Sequence, residues 1–429
     1  MKRTLAFILS FLFVFSAFAV PAYADTDDEA YNFIVEAITR GEERIDISAF
    51  GLSTSELKTL VSRIWHNEPM LFYFNGGYRY SYYEENKPIE LMPNYRMDAT
   101  ERAIAVEYVN GVLDAVIASM PKGLDDYEKA LYLHDFMCVS FEYDLGYEIA
   151  NIYDMIIEGK GVCTGYALLY DELLSRVGIE SRAVVSPSDS LNHMWNEVQI
   201  DGEWYYVDVT WDDPIPDGFG NAHHNNFLIC ETCLKKSHDG VYDTEFPCDE
   251  CYRREKDWGR FRFPIVFADG KLYSEEYGVI KVFSLSDDKA LDVVVGAEHG
   301  WYSTDGSYLG FCMGIGSFAD MLFYNTETEI ILYNPHTAEK QTFYTADISE
   351  GILIGLYVVG DTLYYLASPT GYSEDGSVYT VKLDENSLIN PDPDPDPDPD
   401  PDPDPDPDPD PDPDPDPDPD PDPDPDPDP

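Results

Sequence analysis

Three residues in one short stretch of the chain are of the types that carry out nucleophilic catalysis. Cys163, His193 and Asp208 occur in that order between Gly159 and Pro214. A cysteine thiolate is a nucleophile, an imidazole can serve as its acid and base, and a carboxylate can hold that imidazole in one orientation. The residue types and their order therefore predict a nucleophile, a base and an orienting group.

A helix is predicted to begin at Cys163. Apolar side chains recur at three- and four-residue steps from Tyr166 to Val177, and Gly178 occupies a position typical of a helix end. In the first turn, the positive end of the helix dipole and the free backbone N–H groups favour the thiolate. We therefore expect Cys163 to be a reactive, partly exposed thiolate.

A β-hairpin is predicted to bring the other two residues together. His193 stands just before an alternating strand, and a second strand, WYYVDVTW, follows the turn at Asp201 and Gly202. This hairpin would place Asp208 beside His193. We expect Asp208 to accept the Nδ1 proton of His193, so that Nε2 faces Cys163.

Each of the three residues also has a simpler interpretation when it is considered alone. A single cysteine in an apolar helix is usually inert packing, and a single histidine before a strand is usually structural. The combination of all three in this order favours a catalytic site. His134, inside another predicted helix, is interpreted as structural, and His223 and His224 are expected to form a surface turn.

The motifs around the three residues, GKGVCTGYA, LNHMWNEV and WYYVDVTWDD, resemble those of the transglutaminase-like superfamily. The resemblance covers roughly residues 98–246. It implies an α+β fold with a papain-like core, in which the helix that carries the cysteine packs on an antiparallel sheet. It also implies acyl transfer through a thioester on peptide or glutamine amides, with cross-linking or hydrolysis as the outcome and no cofactor for catalysis.

The superfamily resemblance leaves the substrate and the activity open, because its members include amide-forming enzymes, peptidases and inactive binders. We expect protein or peptide substrates, with a cell-wall or surface polymer as a further candidate. The alternative is a catalytically inactive cell-surface protein with a relic triad. Its tyrosine-rich N-terminal stretch and β-rich C-terminal part would then bind a polymer.

Four cysteines form two closely spaced pairs after the predicted hairpin, namely Cys230, Cys233, Cys248 and Cys251. Two Cys-x2-Cys pairs at this separation are typical of a four-thiolate zinc site. Two disulfides are the alternative in an oxidising compartment, and free thiols are the third interpretation. In each case the pairs are expected to be structural rather than catalytic.

The first 24 residues have the pattern of a signal peptide. Lys2 and Arg3 precede an apolar run, and Ala22-Tyr23-Ala24 is a small-x-small cleavage site. We therefore expect a secreted or cell-surface protein that contacts the membrane only through this segment.

The net charge of −56 argues against nucleic acid as a partner, because its phosphates would be repelled. Acidic charge by itself identifies no substrate, and the sequence does not indicate an oligomeric state.

Composition and motifs divide the chain into five predicted segments. These are the signal peptide (1–24), a small α/β lead-in (25–97), the transglutaminase-like domain (98–258), a β-rich repeat domain (259–388) and a Pro-Asp tail (389–429). The β-rich domain repeats FADGKLY, ADMLFY and GDTLYY, with Leu272, Leu322 and Leu363 as equivalents. This repeat predicts propeller-like blades or a sandwich. The Pro-Asp repeat cannot form a core and is expected to be an extended, disordered spacer.

Overall fold

The computed structural model describes residues 26–186, 192–215, 218–238, 250–252, 261–276, 278–283, 290–295, 301–302, 309–310, 314–346, 351–371, 375–384 and 388. The predicted signal peptide and the Pro-Asp tail lie outside these residues. Across the described part of the chain, none of the helices combines the length and the apolar character that a membrane span requires.

The helices of the described residues lie mostly in the first half of the chain. They are α1 (Thr26–Arg40), α2 (Thr54–Asn67), α3 (Ala99–Ser119), α4 (Asp126–Ser140), α5 (Ile152–Glu158), α6 (Cys163–Arg176), α7 (Val209–Asp212) and α8 (Glu231–Ser237). Helices α2, α3 and α4 each begin with a capping box, in which the cap side chain and a glutamate three residues later satisfy each other's backbone N–H groups. The cap residues are Ser53, Asp98 and Asp125.

Two small antiparallel sheets and one short parallel pair accompany these helices. The strands are β1 (Ile45–Asp46), β2 (Phe74–Glu84), β3 (Lys87–Tyr95), β4 (Glu142–Tyr143), β5 (Lys160–Gly161), β6 (Ser181–Val185), β7 (Met194–Ile200) and β8 (Glu203–Val207). The strand orders are β1-β3-β2 and β6-β7-β8, and β4 pairs with β5 in parallel.

The Cys-bearing helix α6 packs against β6 and β7, as expected for the α+β core. Its side chains Tyr166, Tyr170 and Leu173 are fully buried in the core. The predicted hairpin joins β7 to β8, and its two turn residues, Asp201 and Gly202, have φ values of 54° and 84°. The two-residue turn whose twist matches that of the flanking strands requires positive φ at both of its central residues. Asp-Gly is a favoured sequence for such a turn.

A continuous hydrophobic core joins the N-terminal helices, α6 and the first β-rich segment. It includes Ile34 of α1, Leu113 of α3, Leu173 of α6 and Leu272 near the start of the β-rich part. The boundaries of the predicted domains at residues 97 and 258 therefore do not coincide with gaps in the core, and the domain division remains a prediction.

Antiparallel strands make up the described C-terminal part. They are β9 (Val266–Ala268), β10 (Lys271–Glu276), β11 (Val279–Phe283), β12 (Ala290–Val295), β13 (Trp301–Tyr302), β14 (Leu309–Gly310), β15 (Ile315–Phe318), β16 (Met321–Asn325), β17 (Glu329–Tyr333), β18 (Lys340–Thr345), β19 (Ile352–Val359), β20 (Thr362–Ser368) and β21 (Ser377–Lys382). Strands β9–β12, β15–β18 and β19–β21 form three meanders in which sequence neighbours pair, and β13 pairs with β14.

The three repeat leucines occupy the same position in successive meanders. Leu272, Leu322 and Leu363 lie near the starts of β10, β16 and β20, and all three are fully buried. Each of these strands pairs with the strand before it and the strand after it. The repeat therefore corresponds to a recurring hairpin, while its arrangement as propeller-like blades or a sandwich remains a prediction.

Candidate active site

Cys163 is the first residue of α6, as the sequence predicts. The residue before it, Val162, has an extended backbone and provides no side-chain cap, so the N–H groups of the first turn are not used by a capping side chain. The prediction of a partly exposed cysteine is wrong, because Cys163 is buried and only 9% exposed. Its side chain packs with Ala167 of α6 and Met194 of β7, which limits access to the thiol.

His193 lies immediately before β7 and is placed between Cys163 and Asp208. Its Nε2 donates a hydrogen bond of 2.7 Å to Oδ2 of Asp208. The side chain of Cys163 lies close enough to the ring to raise its pKa. The predicted orientation of the ring is therefore reversed. Because Asp208 takes Nε2, the nitrogen that remains for Cys163 is Nδ1. The structure brings the three residues together, and their roles as nucleophile, base and orienting group remain a prediction.

Asp208 lies at the junction between β8 and α7 and is fully enclosed. Its Oδ1 accepts the backbone N–H of Trp211 at 3.1 Å, so the same side chain also caps the short helix α7. Burial alone would raise the pKa of this carboxyl, but hydrogen bonds from His193 and His238 outweigh that effect and lower the pKa of Asp208. Asp208 is therefore a carboxylate, which can only accept hydrogen bonds.

The charge state of His193 follows from these contacts. Burial works against the imidazolium, but the hydrogen bonds and negative charges of Asp208 and Cys163 outweigh it and raise the pKa of His193 to about 9. A protonated His193 can donate from both ring nitrogens at neutral pH. This is the form that a leaving group needs as a proton donor.

Two hydrogen bonds fix α6 relative to the strands and the short helix of the site. The side-chain amide of Asn196, on β7, donates to the carbonyl oxygen of Ala167 on α6 at 2.9 Å. The hydroxyl of Tyr166, also on α6, donates to the carboxylate of Asp213, the residue that follows α7. The elements that carry Cys163, His193 and Asp208 are therefore joined directly to one another.

Aromatic rings surround His193. The ring of Trp211 stacks on it with a centroid distance of 5.1 Å, and Trp195 lies at 5.9 Å on another side. Trp195 is buried, whereas Trp211 is 38% exposed and borders the solvent. Sequence reasoning did not identify Trp211, because it assigned WYYVDVTW to the second strand of the hairpin, whereas the structure places Trp211 in α7.

His238 is a second histidine that bonds to Asp208, and sequence reasoning did not identify it either. Its Nε2 lies 2.7 Å from the same Oδ2 atom that accepts the hydrogen bond from His193. It follows α8 directly and stands 30 residues after Asp208. Neither spacing nor periodicity in the sequence points to this contact.

The cysteine pairs come together beside the site. Cys251 Sγ lies 3.3 Å from both Cys230 Sγ and Cys233 Sγ, and the backbone N–H of Cys230 donates to Cys251 Sγ at 3.2 Å. Cys248 lies outside the described residues. No disulfide joins the cysteines that the structure describes, and three sulfur atoms converge on one point. Convergence of this kind suits thiolate ligands of a metal ion.

A second buried cluster of charged groups lies next to the site. His134 of α4 contacts Asp135 at 2.8 Å and Asp212 of α7 at 3.3 Å, and His224 donates to Asp135 at 2.8 Å. Both Asp212 oxygens also accept the backbone N–H of Asn226 at 3.0 Å. The expected surface turn at His224 is wrong, because His224 is buried. Each of these side chains has a partner within the cluster, but Nδ1 of His224 is buried without a hydrogen-bond partner among the described residues.

This second cluster, defined by His134, Asp135, Asp212 and His224, lies at the other end of the short helix that Asp208 caps. Asp208 precedes α7 and Asp212 is its last residue, so the cluster anchors the far end of the helix that Asp208 caps. Burial opposes the charge of His134, but the hydrogen bonds that it donates to Asp135 and Asp212 outweigh this effect and raise the pKa of His134 to about 9. The cluster is thus a buried ion pair network.

Comparison with known proteins identifies a family to which part of the chain is similar. The family model described as the transglutaminase-like superfamily matches residues 115–209, which contain Cys163, His193 and Asp208. The chain contains a transglutaminase-like domain. Curated relatives include the kyphoscoliosis peptidases of Mus musculus, 23% identical over 151 residues, and of Homo sapiens, 24% identical over 126 residues.

The matches to these relatives are partial. They cover 31% and 25% of this chain but 22% and 19% of the mouse and human proteins, so the chain spans about a fifth of the length of these relatives. Among solved structures, a TGase is 13% identical with a TM-score of 0.26, over 41% of this chain and 54% of that one.

The second cluster generates a stability prediction. Asp135→Ala removes the shared partner of two buried imidazoles, and we expect a loss of about 3–5 kcal/mol in the free energy of unfolding at pH 6. The pKa of His134 is higher in the folded protein than in the unfolded chain. The stabilisation from the charged imidazole is therefore complete below about pH 6.5 and is lost as the pH rises through about 9. The cost of Asp135→Ala should therefore shrink above pH 9.

Denaturant unfolding at several pH values measures this effect. Asp126→Ala is the matched control, since Asp126 is on the same helix, is largely exposed and pairs only with Lys129 among the described ion pairs. It should cost less than about 1 kcal/mol. Equal losses for the two variants, or a loss for Asp135→Ala that grows above pH 9, would contradict the ion pair network.

Proposed function

We propose that this protein is an exported thiol acyl-transfer enzyme of the transglutaminase-like type, with Cys163 as nucleophile, His193 as acid and base, and Asp208 as orienting carboxylate. The observation that carries the proposal is the position of His193, whose Nε2 is hydrogen-bonded to the buried Asp208 carboxylate and whose pKa is raised by Asp208 and by the neighbouring Cys163 side chain. This is the constellation that activates a cysteine nucleophile.

The first half of the reaction acylates the cysteine. The Cys163 thiolate attacks the carbonyl carbon of a glutamine carboxamide or a peptide bond, and the carbonyl π electrons move to oxygen. Backbone N–H groups in the first turn of α6 can stabilise that oxyanion. The tetrahedral intermediate collapses to a thioester as the C–N bond breaks, and His193 donates its proton to the departing ammonia or amine.

The second half of the reaction releases the acyl group. Water or an acceptor amine attacks the thioester, and the neutral His193 accepts the proton of that nucleophile. The Cys163 thiolate leaves, and the protonated His193 is restored. Water gives hydrolysis and an amine gives a cross-link, and Asp208 keeps the imidazole aligned in both halves.

We further propose that the enzyme acts outside the cell on protein or peptide substrates, in keeping with the signal-peptide pattern of residues 1–24. We also propose that Cys230, Cys233, Cys248 and Cys251 hold one structural zinc ion. The convergence of three of these thiols supports this, and the tetrahedral preference of zinc suits four of them. Zinc has no part in the reaction.

The catalytic proposal predicts that Cys163 reacts selectively with iodoacetamide. Alkylation of Cys163 in the native protein should be much faster than that of Cys138, which is buried and whose pKa is raised by burial. His193→Ala should slow the reaction of Cys163 by about 100-fold or more, because the imidazole that activates the thiol is gone. Peptide mapping by mass spectrometry gives both rates.

The control for this experiment is His336→Ala, a histidine that is exposed in the C-terminal part and distant in sequence from the site. It should leave the rate unchanged. If Cys163 in the native protein reacts no faster than Cys138, the chain is better explained as an inactive binding protein.

The zinc proposal predicts one zinc ion per chain in freshly purified protein, measured by elemental analysis. Cys233→Ser should lower the zinc content, because a structural site needs its full set of ligands. Cys138→Ala, which removes a buried thiol outside the cluster, should leave the content unchanged. Absence of zinc together with a mass lower by four hydrogens would instead establish two disulfides.

A further inference from the structure

One oxygen atom of the Asp208 carboxylate accepts hydrogen bonds from two imidazoles. Nε2 of His193 and Nε2 of His238 each lie 2.7 Å from Oδ2, and Oδ1 accepts the backbone N–H of Trp211. A carboxylate oxygen offers two lone pairs. The two imidazoles therefore use both lone pairs of Oδ2, and the carboxylate plane is held from three directions.

The position of His238 is itself defined by several contacts. One face of its ring stacks on Trp211 at a centroid distance of 4.0 Å, and its edge meets Trp195 at 5.0 Å. Its Nδ1 pairs with the hydroxyl of Ser237 at 2.8 Å, and its backbone N–H donates to the carbonyl oxygen of Leu234 at 2.8 Å. The side chain is buried, so these contacts leave it a single orientation.

Helix α8 brings His238 to this place. The helix begins after Cys230, one of the converging cysteines, and Leu234 at its centre is fully buried with Trp195 and Tyr206. An Ile229–Tyr206 bridge attaches the start of this segment to β8, the strand that leads to Asp208. The chain from Ile229 to His238 is therefore attached to β8 at its start and reaches the Asp208 carboxylate at its end.

Removal of the donor on His238 would leave Asp208 less constrained. One lone pair of Oδ2 would be unsatisfied in a buried site, which costs free energy, and the carboxylate could rotate about its Cβ–Cγ bond. His193 follows the carboxylate because its Nε2 is bonded to the same atom. A small rotation of Asp208 would therefore move the imidazole relative to Cys163.

We propose that His238 is a positioning residue of the active site, a second imidazole donor that fixes the carboxylate of Asp208 and, through it, the alignment of His193 with Cys163. This inference rests on the proposed function and adds a fourth residue to the three that the sequence identifies. His238 does not contact Cys163 in this arrangement. It acts through Asp208.

The test compares two replacements of His238 by the rate of Cys163 alkylation. His238→Phe keeps a ring between the two tryptophans but lacks the donor, and we expect the rate to fall by up to about 100-fold. His238→Gln keeps an N–H donor at a similar distance, and we expect it to restore the rate to within about threefold of the native protein. His336→Phe is the control for an aromatic replacement at an exposed histidine.

A double-mutant cycle separates positioning through Asp208 from a general effect on the fold. In the Asp208→Asn background, His238→Phe should cause no further loss of rate, because the group through which it acts is already altered. If His238→Phe does not fold, His238→Met takes its place, since it fills similar space and also lacks an N–H donor.

The outcomes distinguish this inference from the function on which it rests. If Cys163 is alkylated rapidly in the native protein and equally rapidly in His238→Phe, the role of His238 is overturned and the proposed function is left intact. Equal slowing in His238→Phe and His238→Gln, or additive losses in the cycle, would also overturn it. A native Cys163 that reacts no faster than Cys138 would overturn both.

Discussion

A buried carboxylate needs a hydrogen-bond donor for each oxygen, and Asp208 is the group on which the rest of the site depends. Its charge is removed from water, so it is stable only because imidazoles and a backbone N–H replace the water. Asp208, together with the Cys163 side chain, raises the pKa of His193 to about 9, which keeps the imidazole charged at neutral pH. Asp208 therefore contributes to both the orientation and the protonation state of His193.

The fold supplies these donors from separate parts of the chain. His193 comes from the start of β7, the N–H of Trp211 from the helix that Asp208 caps, and His238 from the end of α8. The cluster of His134, Asp135, Asp212 and His224 holds the other end of α7 against α4. The buried charges of this cluster thus stabilise the position of α7, the helix that Asp208 caps. We expect a change in the cluster to alter the position of Asp208, and a change at Asp208 to alter the cluster.

The sequence predicted those features that are encoded locally. The helix that begins at Cys163 follows from its apolar periodicity, and the hairpin follows from Asp201-Gly202, where both residues need positive φ. The direction of the His193 ring could not be predicted, because it depends on a side-chain rotation. His238 and the contact of His134 with Asp212 lie 30 and 78 residues from their partners, and pattern alone does not encode such contacts.

The formation of an acyl thioester on Cys163 tests the central claim most directly. The protein would be exposed briefly to p-nitrophenyl acetate, quenched in acid and measured as an intact mass, followed by peptide mapping. We predict a single acetyl group on Cys163 that hydrolyses after the reagent is removed, with much slower formation in Asp208→Asn and none at this position in Cys163→Ser. An unmodified Cys163, or acetylation that proceeds equally in Asp208→Asn, would contradict the account.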